Sequence, residues 1–144
     1  MHKRLAGLED IAEIAAEIAA SLAPGDVVAL SGELGSGKTT FARALVRALH
    51  GRDDVSSPTF TFRHTYAGSP PVEHIDLYRL DDPAEARELG LEEALENGAI
   101  VLVEWPERWP AFVPERHLAV HFEGAGDAPR EIEVRRMGAS RAAR

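Results

Sequence analysis

The apolar positions near the start of the chain recur at helical spacing. Leu8, Ile11, Ile14, Ile18 and Leu22 follow one another at steps of three or four residues, with glutamates between them. This period places the apolar side chains on one face, so the pattern predicts an amphipathic helix. The proline and glycine that come next are expected to end it.

Short continuous apolar runs predict strands that are buried on both faces. Val27–Leu30 is one such run, and Ile100–Val103, which is followed directly by Glu104, is another. Runs of this kind are typical of parallel strands covered by helices. After the first run, a second helical pattern covers Phe41–Leu49 and is expected to stop near Gly51.

Alternating polar and apolar positions predict two antiparallel hairpins. Thr59–Tyr66 and Val72–Tyr78 flank the turn at Ala67–Pro71, and we expect each to form one strand of the first hairpin. Leu118–Phe122 and Ile132–Val134 flank a glycine-rich turn and form the second.

Between the hairpins the pattern becomes helical again. Asp82 is suited to cap a helix, Pro83 to its first position, and Glu85 completes a capping box. A short helical piece at Leu91–Glu96 follows Gly90.

Length and composition indicate one domain. The chain has 144 residues, of which 44% are hydrophobic, enough for one core and too few for two. We assign residues 1–134 to this domain and residues 135–144 to a basic tail that we expect to be flexible.

Charge and residue usage exclude several classes of function. A net charge of -8 argues against a broad basic face for nucleic acid. The absence of cysteine excludes disulfides, thiol catalysis and zinc-thiolate sites. The histidines show no metal-ligand spacing, so no catalytic histidine is proposed. Because no apolar run is long enough to span a membrane, we expect a cytoplasmic protein without membrane contact.

The loop after the first predicted strand carries the strongest chemical signal. Residues 32–39 read G-x-x-x-x-G-K-T, between a strand and a helix, as the phosphate loop (Walker A motif) requires. Glycines let backbone N–H groups approach phosphate oxygens closely. Lys38 supplies an ammonium group and Thr39 a hydroxyl for Mg²⁺. The pattern therefore predicts an α/β fold: a single P-loop NTPase domain with a mixed parallel and antiparallel sheet flanked by helices.

Three further residues are candidates for the same site. Glu104 ends a predicted buried strand, so it is either a Walker B acid that binds magnesium or an acid that leaves the sheet for solvent. Asp76 lies within an apolar strand, so it either faces the site or lies on a solvated face. Thr59 either approaches the γ-phosphate as a switch threonine does, or is simply a strand residue.

A series of motifs resembles the TsaE family (formerly YjeE), the small bacterial ATPase of tRNA threonylcarbamoyladenosine synthesis. The motifs, in chain order, are Gly32–Thr40, Ser57–Phe60, His74–Leu80, Glu88–Leu91 and Val103–Glu107. The resemblance implies a weak Mg²⁺-dependent ATPase that binds ATP or ADP and acts with the TsaB and TsaD proteins. Those partners modify the tRNA, which this chain would reach only indirectly, and alone we expect it to be a monomer.

The resemblance also implies roles for individual residues. Thr39 and Glu104 would hold magnesium. We expect Lys38, Asp76 and Glu104 to be catalytic, with Lys38 stabilising charge and either Asp76 or Glu104 positioning the attacking water. Thr59 would lie near the γ-phosphate with Asp76. The full set of nucleotide-binding residues would be Gly32, Glu33, Leu34, Gly35, Ser36, Gly37, Lys38, Thr39, Thr40, Thr59, Asp76, Trp105 and Arg130.

Two other functions fit a phosphate loop. A small-molecule kinase would need an acceptor pocket and an arginine-bearing lid, and the sequence has no helical insertion suited to form one. A nucleotide-gated binding module would use ATP to set its affinity for a partner, with incidental turnover. Different effects of ATP and ADP on partner affinity would show such gating, and the gated module and the ATPase are compatible with each other.

Overall fold

The computed structural model describes residues 1–33, 35–51, 57–60, 63–82, 84, 90–124 and 130–138. Leu34 of the glycine-rich loop, Pro83 and Glu85 of the predicted capping box, and residues 139–144 of the predicted tail lie outside the described residues. For Thr59 the backbone is described and the side chain is not.

Within the described residues, eight strands form one sheet in the order β1-β8-β7-β2-β6-β5-β4-β3. The strands are β1 His2–Leu5, β2 Val27–Gly32, β3 Ser57–Phe60, β4 Arg63–Tyr66, β5 Val72–Asp76, β6 Ile100–Glu104, β7 His117–Glu123 and β8 Arg130–Met137. The helices are α1 Leu8–Ser21, α2 Lys38–His50 and α3 Leu91–Glu96. Short 3₁₀ turns lie at Leu77–Arg79, Pro106–Arg108 and Pro110–Phe112.

The sheet is parallel at its centre and antiparallel toward both edges. β2 pairs in parallel with β6 and β7, and β6 pairs in parallel with β5. β7 with β8 and β4 with β5 form antiparallel hairpins, as the alternation predicts. The mixed sheet with packed helices confirms the predicted α/β fold.

The strand register brings the ends of three parallel strands to one level. Leu30 of β2 lies opposite Glu104 of β6, and Asp76 of β5 lies opposite Glu104 from the other side. Because parallel strands end at the same edge of a sheet, both carboxylates lie beside the loop that follows β2.

Two clusters of buried apolar side chains hold the sheet together. Phe41 and Leu45 of α2 pack with α1 and with Leu30, Leu102 and other residues of the central strands. Phe41 also contacts the Phe122 ring edge-on, with ring centroids 5.4 Å apart. A second cluster contains Val27, Ile75, Leu77, Leu80, Val101 and Val103. Full burial of a large apolar side chain stabilises the fold by about 1.5–3 kcal/mol. Phe41 and Leu45 of the first cluster therefore fix α2 and its loop on the sheet.

One predicted strand is wrong. Instead of a single strand over Thr59–Tyr66, β3 and β4 pair with each other, with Ser57 opposite Thr65 and Phe60 opposite Arg63. The continuous alternation of polar and aromatic residues gives no turn signal, so the reversal is not visible in the pattern.

Other element boundaries also differ. The strand predicted over Val72–Tyr78 ends at Asp76, whose Oδ1 accepts a hydrogen bond of 3.0 Å from the Tyr78 N–H and starts a 3₁₀ turn. β8 continues through Met137, beyond the predicted end at Val134, because Met137 pairs with His117. Residues 135–137, which the sequence analysis assigns to the tail, therefore lie in the sheet.

The edge strand β1 has no counterpart in the predictions. Its residues pair with β8, with Lys3 opposite Ile132, and the Met1 ammonium donates a 2.9 Å hydrogen bond to the Val134 carbonyl. No helix in the described parts of the chain is long and apolar enough to cross a membrane.

Candidate functional site

The loop between β2 and α2 has a backbone that requires glycine. Gly32, Gly35 and Gly37 have φ values of +141°, +77° and +108°. A Cβ on Gly32 would lie 2.7 Å from the Phe122 carbonyl oxygen and 2.9 Å from Ser36 Oγ. Gly37 caps α2, so the positive end of the helix dipole lies at this loop. The sequence motif therefore forms a tight loop that ends at a helix N-terminus, an arrangement that favours anions.

Lys38 is folded back over its own loop. Its ammonium donates to the carbonyl of Gly32 and, at 3.2 Å, to that of Glu33, and it lies 3.7 Å from the centroid of the Trp105 ring. Desolvation by burial lowers the pKa of Lys38, and the nearby carboxylates, Glu104 foremost, oppose this shift. A desolvated cation therefore lies inside the loop, held by two carbonyls and an aromatic face.

Thr39 and Glu104 meet at the start of α2. Thr39 Oγ1 donates to the Glu104 carboxylate, 3.1 Å from each of its oxygens, and Glu104 is only 3% exposed. Burial by itself raises the pKa of Glu104, but the hydrogen bond and charge of His74, the Thr39 hydroxyl and Lys38 together lower it below the usual value. Glu104 is therefore an ionised carboxylate at neutral pH.

The donor set suits a hard cation that shares its coordination with a ligand. Among the described residues, no group of three or more His, Cys, Asp or Glu side chains could hold a metal by itself. A hydroxyl and a carboxylate match Mg²⁺, which usually takes one or two protein ligands together with phosphate oxygens and waters. Ser36 Oγ is also buried here, without a partner in the described part of the protein.

Trp105 forms a wall of the site in a strained conformation. It has φ 60° and ψ 50°, a region that costs a residue with a Cβ about 1–2 kcal/mol. Its backbone N–H donates a 3.1 Å hydrogen bond to the Leu30 carbonyl, which fixes the turn at the end of β6. One neighbour of its ring is the Lys38 ammonium, and another is the Tyr78 ring, with centroids 4.9 Å apart. Trp105 therefore links the loop to the end of β5.

These groups line one cleft of about 460 Å³. Its lining residues are Gly35, Ser36, Gly37, Lys38, Thr39, Thr40, Asp76, Tyr78, Glu104, Trp105 and Arg130. The Arg130 guanidinium lies 3.6 Å from where a Cβ on Gly37 would stand. Gly32 and Glu33 lie beside the cleft and supply the carbonyls that hold Lys38. The structure thus brings together most of the residues that the sequence singled out.

Two residues at the site, His74 behind Glu104 and Tyr78 in the cleft lining, are not among the site residues expected from the sequence. His74, only 4% exposed, has Nε2 at 2.6 Å from Glu104 Oε2. The sequence placed His74 correctly in a strand, but its contact with Glu104 depends on strand register. Its position two residues before Asp76, on the same face of β5, is the signal that could have identified it. Tyr78 lines the cleft opposite Trp105 and is 43% exposed.

The mixed sheet and the glycine-rich loop after its central strand define a single-domain α/β protein with an NTPase-like architecture. Comparison with known proteins then identifies the family. The family described as "Threonylcarbamoyl adenosine biosynthesis protein TsaE" matches residues 5–132. This chain belongs to the TsaE family.

Individual relatives agree with this result. The Bacillus subtilis (strain 168) protein named tRNA threonylcarbamoyladenosine biosynthesis protein TsaE is 39% identical over 131 residues, which cover 90% of this chain and 82% of that protein. The protein of that name from Rickettsia conorii is 46% identical over 101 residues, covering 69% of this chain and 57% of its own length. The crystal structure of Bacillus subtilis YdiB superposes with a TM-score of 0.78 at 34% identity, covering 96% of this chain and 86% of that one.

Proposed function

We propose that this protein binds ATP and hydrolyses it weakly with Mg²⁺, as an accessory factor in the synthesis of threonylcarbamoyladenosine on tRNA. Its partners would be TsaB and TsaD. The observation that carries the proposal is the convergence of Lys38, Thr39, Asp76 and Glu104 on the cleft at the N-terminus of α2. The names of its relatives supply the process.

The loop is suited to hold the triphosphate. Backbone N–H groups at the start of α2 are not used within the helix, and the dipole adds to their attraction for anions. Lys38 donates to carbonyls of its own loop in the structure, and phosphate oxygens would be better acceptors because they carry charge. Binding would therefore draw the ammonium toward the β- and γ-phosphates.

Thr39 and Glu104 are the residues that would hold Mg²⁺, since their oxygens are already in contact. When bound, Mg²⁺ neutralises charge on the β- and γ-phosphates. Arg130 and Trp105, on the cleft walls, would border the nucleotide.

Hydrolysis would proceed by in-line attack of water on the γ-phosphate, which breaks the bond to the β–γ bridging oxygen and releases ADP and phosphate. Asp76 or Glu104 would orient that water, because both are carboxylates at the ends of adjacent strands. Lys38 and the N-terminus of α2 would stabilise the charge that develops on the phosphoryl oxygens. The net charge of -8 fits a protein that leaves the tRNA to its partners.

Release of phosphate from ATP tests the proposal, measured with and without TsaB and TsaD, with Lys38→Ala as the blank. We expect slow turnover alone, a higher rate with the partners, and no turnover in the variant or with EDTA. Turnover that survives Lys38→Ala would overturn the assignment of the site. Unchanged turnover with the partners, together with acceleration by a small hydroxyl compound, would instead indicate a kinase.

Coupling to the partners is tested by affinity. The affinity of this chain for TsaB–TsaD should differ between ATP and ADP, because a nucleotide that binds two states equally shifts neither. Equal affinities with both nucleotides would contradict a nucleotide-controlled role.

A further inference from the structure

His74 is a buried histidine in contact with Glu104, and the proposed mechanism gives it no role. It lies in β5 between Glu73 and Ile75, and its side chain is 5% exposed. Its Nε2 is 2.6 Å from Glu104 Oε2. Because the ionised carboxylate can only accept, the imidazole Nε2–H is the donor.

The two hydrogen-bond partners of Glu104 hold it in different ways. Thr39 Oγ1 is 3.1 Å from both carboxylate oxygens, so this contact does not distinguish one oxygen from the other. His74 contacts Oε2 alone, at the shorter distance of 2.6 Å. The imidazole therefore fixes the rotation of the carboxylate and leaves Oε1 for other partners.

We infer that His74 is a positioning residue, which holds the Glu104 carboxylate in the orientation required by the cation at this site. The inference rests on the proposed function, in which Thr39 and Glu104 hold Mg²⁺. If the Thr39 hydroxyl turns to the cation, His74 remains as the side chain that orients Glu104. Groups that orient a metal ligand in this way commonly contribute about 10- to 100-fold to metal affinity.

The reach of the donor offers a sharp test. The amide nitrogen of glutamine extends about as far as histidine Nε2, whereas that of asparagine reaches only about as far as Nδ1. His74→Gln and His74→Asn thus place the same group at two distances from Glu104. The matched control is His64→Asn, because the His64 ring lies beside His74 on β4, with centroids 6.0 Å apart.

The measurement is binding of ADP by calorimetry over a series of Mg²⁺ concentrations and in EDTA, with urea unfolding to show that each variant folds. His74→Asn should raise, by about tenfold or more, the Mg²⁺ concentration at which the effect of Mg²⁺ on ADP affinity is half-maximal. The affinity for ADP in EDTA should be unchanged. His74→Gln should stay within about threefold of the wild type, since it keeps an N–H donor at the same reach. His64→Asn should match the wild type.

Wild-type Mg²⁺ dependence in His74→Asn, or an equal loss in His64→Asn, would overturn the positioning role. A loss in His74→Gln as large as that in His74→Asn would also overturn it, since the donor would then not be the cause. Failure of the wild type itself to bind ADP in a Mg²⁺-dependent way would instead refute the proposed function.

Discussion

Gly32→Ala should destabilise the protein far more than the same substitution three residues later in the loop. The added Cβ would lie 2.7 Å from the backbone carbonyl oxygen of Phe122, the residue that pairs with Gly32 across β2 and β7. Because that oxygen belongs to a strand, the clash is relieved only if the two strands move apart. Such overpacking costs about 1–3 kcal/mol, and a φ of +141° costs alanine about 1–3 kcal/mol more.

Gly35→Ala is the matched control. Gly35 also has a positive φ, of +77°, but a Cβ there would meet nothing within 4 Å. The free energy of unfolding of Gly35→Ala should therefore fall only by the cost of a positive φ for alanine, about 1–2 kcal/mol. Urea unfolding gives both values as changes in the free energy of unfolding, provided that the slope with urea is unchanged. Equal losses in the two variants would refute the explanation by close backbone contact.

Three further predictions concern side chains of the cleft. ADP with Mg²⁺ should change the fluorescence of Trp105, because the Lys38 ammonium, 3.7 Å from the centroid of its ring, is drawn toward the phosphates. Lys38→Met should abolish this change. A full fluorescence response in Lys38→Met would refute the role of the ammonium. The pKa of Glu104 is lowered from its usual 4.5 in the folded chain, so its contribution to stability is present above that pH and lost as the pH falls below it. As the pH falls from about 6 to about 3, the free energy of unfolding of Glu104→Gln should therefore decrease less than that of the wild type. Parallel curves of the free energy of unfolding against pH for the two proteins would contradict this prediction. Asp76→Asn should lower ATP hydrolysis but keep the hydrogen bond from the Tyr78 N–H. Asp76→Ala should lower hydrolysis and also reduce the free energy of unfolding by about 1 kcal/mol, because that hydrogen bond is lost. Identical unfolding curves for the two variants would show that the hydrogen bond contributes nothing to stability.

The helices and the central strands could be predicted because their patterns are strong and local. The helical spacing from Leu8 gives α1, and the apolar run from Ile100 gives β6, which ends on Glu104 as expected. The motif of residues 32–39 needs only the strand before it and the helix after it, and both are present.

The edges of the sheet could not be predicted in the same way. β1 consists of a histidine, two basic residues and a leucine, and its strand conformation comes from pairing with β8. The pattern predicts one strand in place of β3 and β4, because the alternation of polar and apolar residues continues without a turn signal. Here tertiary pairing decides the structure, and the local pattern does not.

The site could be predicted only as far as each residue carries its own signal. Glu104 stands out because a carboxylate follows four buried residues. His74 carries no such signal, since its contact with Glu104 arises from the register between strands far apart in the sequence.

A crystal structure of the protein with Mg²⁺ and a non-hydrolysable ATP analogue would test the central claim most directly. We predict that the β- and γ-phosphates lie against the backbone N–H groups at the start of α2, with Thr39 and Glu104 at the cation. Lys38 should then have left the carbonyls of Gly32 and Glu33 for the phosphates. A nucleotide bound outside this cleft, or a Lys38 still bound to those carbonyls beside an occupied site, would contradict the account.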